Sequence, residues 1–280
     1  MTKEGITPVY LFHGRDRVVW APNKDLKVSL QEAHGHLWQL LSLDPEFSKL
    51  YRDRVVHGFV PKRNSLTHAG VHKEAGTVLN LDLYRAFEST SKERAVRSIE
   101  AIGASPQFVD FLKKCAFVRE ILPPGFPTSP DLFNAVLLPI DKLLIRLAQE
   151  HTLRYSRYAD DLTFSTPKEV PFVEQEIVNE IRRIIQENGY DVHKIRFGHP
   201  WKTPTQICGI SLYRGSLTLP TSAQRRIRSQ VHRHLILDQK QDPQKAMSFL
   251  GHLKKTKGYL PQSLKRYEKT AKKLIKDQKK

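Results

Sequence analysis

The sequence predicts an α+β fold, with an antiparallel sheet and helices packed around it. Three observations predict it. The stretch Arg157-Tyr158-Ala159-Asp160-Asp161-Leu162-Thr163-Phe164-Ser165 reads as a tight β-hairpin with two adjacent carboxylates at its tip. Residues Thr77 to Leu83 form a near-continuous apolar run, interrupted only by Asn80 and Asp82, as in a buried strand. Segments with the 3.6-residue apolar spacing of helices surround these two strands.

In chain order, residues 8–20 are rich in β-branched and aromatic types around His13-Gly14-Arg15-Asp16, which predicts a hairpin with a basic tip. After Pro22, the spacing of Leu26, Leu30, His34, Leu37, Leu40 and Leu41 predicts one or two helices over about 26–50. Residues 56–76, with Gly58, Pro61, Lys62, Arg63 and Gly70, read as a basic loop leading into the strand at 77–83. Helical spacing resumes over 91–118, broken near Gly103–Pro106. The proline-rich run from Pro123 to Pro130 opens a further helix at about 131–150. The Asp160-Asp161 hairpin follows, with Tyr158 and Leu162 as its anchors. An amphipathic helix over 172–189 ends at Asn188-Gly189, and strand-like segments at 191–197 and 206–219 precede a helical region after Pro220.

At 280 residues the chain suits one large domain or two to three tightly joined subdomains. Its 46 Lys and Arg against 29 Asp and Glu leave a net charge of +17, which points to a polyanionic partner, nucleic acid before anionic membrane. No stretch approaches the apolar length of a spanning helix and the N-terminus lacks a signal-peptide core, so a cytoplasmic protein without membrane association is expected. Cys115 and Cys208 fit neither a disulfide framework nor a zinc pattern and read as small buried hydrophobes. From Lys254 to Lys280, eleven Lys and Arg stand against two acids, interleaved with Tyr259, Leu264, Tyr267 and Leu274. That pattern suits a helix packed on one face and lying along phosphates on the other, or a lysine-rich solvated tail.

Adjacent aspartates need a counter-charge, and taken alone an Asp-Asp pair is most often a solvated turn. Here Asp82, near the end of the apolar strand, offers a third carboxylate. Two strands that each deliver carboxylates can share a pair of Mg2+ ions, hard cations that take oxygen ligands and bridge to substrate phosphates. Like charges at short range raise one another's pKa, and bound cations relieve that repulsion.

Three ordered patterns resemble the successive motifs of reverse transcriptases: Asn80-Leu81-Asp82-Leu83 with Ala86-Phe87, the run Leu122–Pro130 with Asn134 and Asp141, and Arg157–Ser165. Within that family the chain resembles bacterial retron reverse transcriptases, which also carry the patterns seen here at 17–22 with Leu26-Lys27, and at His57-Gly58-Phe59-Val60 with Arg63, Asn64 and Ser65. The resemblance spans about residues 8–235. It implies a right-hand polymerase, with N-terminal fingers over 1–76, a palm with an antiparallel sheet over 77–219 into which fingers helices at about 91–121 are inserted, and a basic helical thumb over 220–280.

The same resemblance implies roles. Asp82 and Asp160 would be the principal ligands of two Mg2+ ions, with Asp161 a weaker partner. Phe87 falls at the aromatic gate that excludes a ribonucleotide 2′ hydroxyl, with core packing as the alternative. Arg17 and Arg63 could grip the triphosphate or make surface ion pairs. Gly125 would let the backbone approach the nucleotide or template, and Thr128-Ser129-Pro130 would start the supporting helix.

Departures from the family pattern qualify these roles. Pro124 stands where Gln is usual. His193-Lys194-Ile195-Arg196 leaves Lys194, Arg196 or His193 as the proton donor to pyrophosphate. Ile207-Cys208-Gly209-Ile210 replaces the common primer-grip turn, keeping its glycine and losing a hydroxyl. Glu88 adds a carboxylate near the site that reads as a solvent or backbone partner. The implied activity is RNA-directed DNA synthesis on a structured noncoding RNA, primed by an RNA hydroxyl, using deoxynucleotide triphosphates, in antiphage defence with a possible effector protein encoded nearby. Rivals are another compact bacterial or intron-derived reverse transcriptase, and a catalytically silent module that binds structured RNA.

Overall fold

The computed structural model describes residues 6–12, 16–169, 175–237, 242–257 and 262–277, with the backbone alone for 8–12, 16–17, 236–237, 249, 252–257, 262–263 and 277. Strands β1 (Ile6–Phe12) and β2 (Asp16–Pro22) form the expected antiparallel ribbon, Val9 opposite Val19. The tip at His13, Gly14 and Arg15 and the side chain of Arg17 lie outside the described residues.

The helical segment expected over 26–50 is two helices. Helix α1 (Lys24–Leu43) starts on Asn23, whose side chain accepts from Leu26 N at 2.9 Å. Asp44 ends it and caps α2 (Pro45–Arg52) by accepting from Phe47 N at 2.8 Å. Pro45 cannot continue α1 but suits the first turn of α2.

Residues 56–76 are not all loop: α3 (Ser65–Val71) lies within them. Asn64 accepts from the backbone of Leu66 and Thr67, and Thr67 Oγ1 accepts in return from Asn64 N at 2.9 Å. This capping box supplies the donors and acceptors that a seven-residue helix lacks, against the breaking tendency of Pro61 and Gly70.

Strand β3 (Ala75–Leu83) is followed by α4 (Lys92–Ala101), α5 (Pro106–Cys115) and the long α6 (Ser129–Glu150). Then come β4 (Arg154–Tyr158), β5 (Asp161–Pro167), α7 (Gln175–Glu187) and β6 (Val192–Gly198). The four strands form one antiparallel sheet in the order β4-β5-β3-β6. Register alternation gives it two faces. Leu79 and Leu81 lie opposite Phe164 and Leu162, all essentially without solvent exposure, and join the core cluster that includes Leu132, Phe133 and Leu144 of α6.

The other face is polar, presenting Asn80, Asp82, Asp161, Thr163, Lys194 and Arg196 at paired positions. Part of it is covered by α3 and by a ribbon of β7 (Thr205–Ile207), β8 (Ile210–Tyr213) and β9 (Ser216–Thr218). The segment expected as strand-like over 206–219 turns twice, at Cys208-Gly209 and Arg214-Gly215. Both residues of each turn have positive φ, the left-handed pair that matches the twist of a two-residue hairpin.

After Pro220 come α8 (Thr221–His232), a π-turn at Arg233–Leu237, α9 (Pro243–Lys257) and α10 (Gln262–Asp277). They bury their own apolar cluster of Val231, Leu235, Ala246, Leu250, Leu264, Tyr267 and Ala271. Lys265, Lys269, Lys273 and Lys276 of α10 stay exposed, while Tyr259, Lys279 and Lys280 lie outside the described residues. Among the described residues no helix is long and apolar enough to cross a membrane.

Candidate active site

The hairpin is built as its sequence predicts. Tyr158 pairs with Asp161, leaving Ala159 and Asp160 as the turn, and Asp160 O accepts from Leu83 N at 3.1 Å. Asp82 lies directly opposite Asp161 on one side and Lys194 on the other. Directly paired residues of antiparallel strands point to the same face, so Asp82, Asp161 and Lys194 share one surface. Tyr158 shares that face with Asp161, whereas Leu162 is buried on the other; the two anchors grip the hairpin from opposite sides.

Each carboxylate has a protein partner. A register shift between Asp82 and Leu83 leaves His193 as an extra residue in β6, and its Nδ1 lies 3.1 Å from Asp82 Oδ2. Cys208 Sγ donates to Asp161 Oδ2 at 3.4 Å, and His68 Nδ1 lies 3.2 Å from the same sulfur. Burial, then the charges of Asp160 and Asp82, push the Asp161 carboxyl up to about 6, against the Cys208 hydrogen bond and Arg196. Burial and Asp161 together raise the Cys208 thiol. Cys208 is thus half-buried, packed against the cluster of Ala69, Val78 and Ile207 and also hydrogen-bonded in the site; Cys115, also half-buried and packed on the main core, donates to Phe111 O at 3.1 Å.

The donor chemistry fits a hard divalent cation, because such a cation would relieve the repulsion between carboxylates in a partly desolvated cleft. Among the described residues, however, no group of three or more His, Cys, Asp and Glu side chains is gathered as a ready-made metal cage. Asp82 and Asp161 instead lean on His193 and Cys208. Mg2+ usually takes one or two carboxylates plus waters and substrate phosphates, so the pairing of Asp82 with Asp161 remains adequate for it.

Beneath the turn lies a buried polar brace. Arg157 is fully buried, and its Nε donates to both oxygens of Asp141 on α6, at 3.0 and 2.9 Å. Tyr155 OH donates to Asp141 Oδ1 at 2.8 Å. Arg157 Nη1 donates to Asn134 Oδ1 at 2.8 Å, and Asn134 Nδ2 donates to Gly58 O at 3.3 Å. Gly58 in turn lies against the Asp160 turn: a Cβ there would stand 2.1 Å from Ala159 N. Ala159 itself is left-handed at φ 56. Burial pushes Asp141 up, opposed by Arg157 and Tyr155.

A second buried group went unread in the sequence. His72 bridges Ser165 Oγ at 2.7 Å and Ser156 Oγ at 2.9 Å, and His57 lies between Thr67 Oγ1 and Arg54 O, both at 2.8 Å. Burial lowers all three imidazoles, His57 to about 4, His68 to about 3 and His72 well below its ordinary value, so they are neutral. Their signal was available: His68 and His72 are four apart, on one face of a helix begun by Asn64.

The remaining expected residues divide. Lys194 pairs with Asp82, Arg196 acts on Asp161 by its charge, Cys208 bonds to Asp161, and Gly209 follows Cys208 in the β7–β8 turn. Phe87 is half-buried and stacks on Phe133, ring centroids 4.9 Å apart, so it has both a packing role and a free side. Arg63 turns onto Tyr51, donating to its carbonyl at 3.0 Å and lying over its ring at 4.9 Å, which occupies the guanidinium expected at a triphosphate. Gly125, at φ 105, packs closely against β2: a Cβ would stand 2.6 Å from Trp20 O. Next to it Pro124 O accepts from Trp20 N at 2.8 Å. Thr128 precedes α6 without a side-chain capping bond.

Residues 7–253 match the family described as Reverse transcriptase (RNA-dependent DNA polymerase). The chain is 30 % identical over 207 residues to the Retron Mx162 reverse transcriptase of Myxococcus xanthus, covering 64 % of this chain and 41 % of that protein. It is 32 % identical over 199 residues to the Retron Mx65 reverse transcriptase of the same organism, covering 65 % and 44 %. The chain therefore spans less than half the length of these relatives. In structure it is similar to telomerase from Candida albicans solved with a telomeric RNA fragment, with a TM-score of 0.57 at 12 % identity, covering 90 % of this chain and 55 % of that one. Apo telomerase from Candida tropicalis gives 0.56 at 9 % identity, covering 90 % and 56 %. These structural likenesses concern the fold alone, a right-hand polymerase of mixed helix and sheet. With the family match over most of its length and sequence relatives among bacterial retrons, the chain belongs to the reverse transcriptase family and is of the retron type.

Proposed function

We propose that this chain is an RNA-directed DNA polymerase of retron type, copying a structured noncoding RNA into DNA. The observation that carries the reading is the direct register of Asp82 with Asp161, one residue from the Asp160 turn. Asp82, Asp160 and Asp161 hold two Mg2+ ions in this reading, Asp161 as the weaker partner. Bound there, the two ions supply the charge that acidifies a primer 3′ hydroxyl and stabilises in-line displacement.

This chain's own residues do the rest. Arg157, Asp141 and Asn134 hold the Asp160 turn rigid from below. Lys194, opposite Asp82, is the proton donor to pyrophosphate, and Arg196 serves by its charge. Cys208 and Gly209 present the β7–β8 turn to the primer end. Phe87, backed by Phe133 and unable to retreat, gates against a 2′ hydroxyl. In the division into fingers (1–76), palm (77–219, with inserted fingers helices at about 91–121) and thumb (220–280), the thumb is supported by the separate apolar core of α8–α10. Antiphage defence and an effector encoded nearby follow from the retron likeness and belong to the same proposal.

The test is incorporation of deoxynucleotides on an RNA template with magnesium, comparing the parent with Asp160→Asn plus Asp161→Asn. The double variant should lose synthesis, and persistence would sink the metal assignment. Sequencing DNA that copurifies with the chain should return one product complementary to one noncoding RNA; a heterogeneous product would oppose the retron reading.

A further inference from the structure

The loop from Arg54 to Lys62 holds three non-glycine residues in the left-handed region: Arg54 at φ 59, Phe59 at φ 60 and Lys62 at φ 60. For an aromatic side chain such a backbone costs on the order of 1–2 kcal/mol and persists only where the surroundings impose it. They do so here. His57 N donates to Arg157 O at 2.9 Å, and Arg157 N donates to Val55 O at 2.8 Å. Gly58 is pressed between Asn134 Nδ2 and the backbone of Ala159. The residue after this clamp, Phe59, is 43 % exposed, so its ring recovers little of that strain by burial.

Its ring contact among the described residues is informative. Phe59 meets Phe87 edge-on, centroids 6.0 Å apart at 77°. Phe87 stacks on fully buried Phe133, which meets Tyr190 edge-on at 6.2 Å. The four rings form a ladder from the core to the surface, and Phe59 is its exposed rung beside the catalytic turn.

We infer that Phe59 is a specificity-determining residue, the outer ring of a two-ring apolar wall, Phe59 with Phe87, that faces the sugar of the incoming nucleotide. The inference deepens the polymerase reading and rests on it. A wall of two edge-packed rings offers no partner to a 2′ hydroxyl, so a ribonucleotide must bury that group unpaired while a deoxynucleotide gains contact area. Phe87, wedged against Phe133, sets the depth of the pocket, and Phe59 narrows its mouth.

The experiment compares the parent, Phe59→Ala, Phe59→Gly and Phe87→Ala for kcat/KM with deoxynucleotide and ribonucleotide triphosphates on one RNA template and primer. Both Phe59 variants should lower the preference for deoxynucleotides about tenfold, mainly through KM. Phe59→Gly accepts the left-handed backbone, so its Tm should equal or exceed the parent's, which separates lost recognition from lost folding. Equal loss for both sugars would mean that Phe59 stacks on the base, and overturns the inference. So does an unchanged ratio in both Phe59 variants, including when Phe87→Ala alone relaxes it. A parent that incorporates no deoxynucleotide overturns the polymerase reading and this inference together.

Discussion

Arg157 and Asp141 meet in the interior between β4 and α6, the Nε of one within 3.0 Å of both oxygens of the other, with neither side chain open to water. Removing one member strands a buried charge, so Asp141→Asn or Arg157→Met should lower unfolding free energy by about 3–5 kcal/mol in urea titrations. Arg157→Lys should recover little, because one ammonium cannot serve Asp141 and Asn134 together. The paired change Arg157→Met with Asp141→Leu should restore much of the stability. It should leave incorporation low, since the link through Asn134 to Gly58 stays broken.

That brace marks where sequence reading ran out. The strands at 77–83 and 157–165, the helices around them and the three aspartates follow from periodicity and local chemistry. Arg157, Asn134 and Asp141 stood in recognisable motifs, but their mutual contact joins positions 16 and 23 residues apart on different elements, which spacing cannot reveal. Cys208 was legible as part of a turn. Its bond to Asp161, 47 residues away, exists only because β7–β8 folds over the sheet. The short helix α3 hid behind Gly58, Pro61 and Gly70, since its stability comes from the Asn64 cap and tertiary burial of His68 and Ala69 rather than from helix propensity.

Gly58→Ala tests the approach of loop and turn. The added Cβ would meet Ala159 N at 2.1 Å and Ala159 Cα at 2.8 Å, backbone atoms that cannot swing aside. Stability should fall by about 1–3 kcal/mol. Nucleotide incorporation should fall on the order of a hundredfold if the proposed metal-holding carboxylates of the turn are displaced by roughly 1 Å. Gly35→Ala in α1, with nothing within 4 Å of the new Cβ, is the control and should stabilise by up to about 1 kcal/mol.

His34 on α1 and Asp131 in the first turn of α6 form an ion pair, half-exposed on the histidine side and fully buried on the aspartate side. The hydrogen bond to Asp131 raises the His34 pKa above 6.5, so its contribution is complete below that value and is lost as pH rises through the folded pKa. Burial raises Asp131 despite His34, so the folded state also prefers the Asp131 proton, and its titration runs in the same direction. Thermal melts from about pH 5.5 to about 8.5 should show the parent's advantage over His34→Gln shrinking as pH rises. A constant difference would refute the assignment.

The last helix offers a test of electrostatic contact with nucleic acid. On α10, Lys265, Lys269, Lys273 and Lys276 are exposed while Leu264, Tyr267 and Ala271 pack into the C-terminal core, so the charges can change without touching that core. Lys272 is already paired with Glu268 at 2.8 Å and is left unchanged. Each lysine that contacts a phosphate adds about one unit to the slope of log affinity against log salt. Replacing all four by Ala should therefore flatten the slope for a structured RNA by up to about four units, and weaken binding by a similar factor across unrelated sequences, with Tm unchanged. An unaltered slope would mean that α10 is a solvated face, with the RNA held elsewhere on the chain.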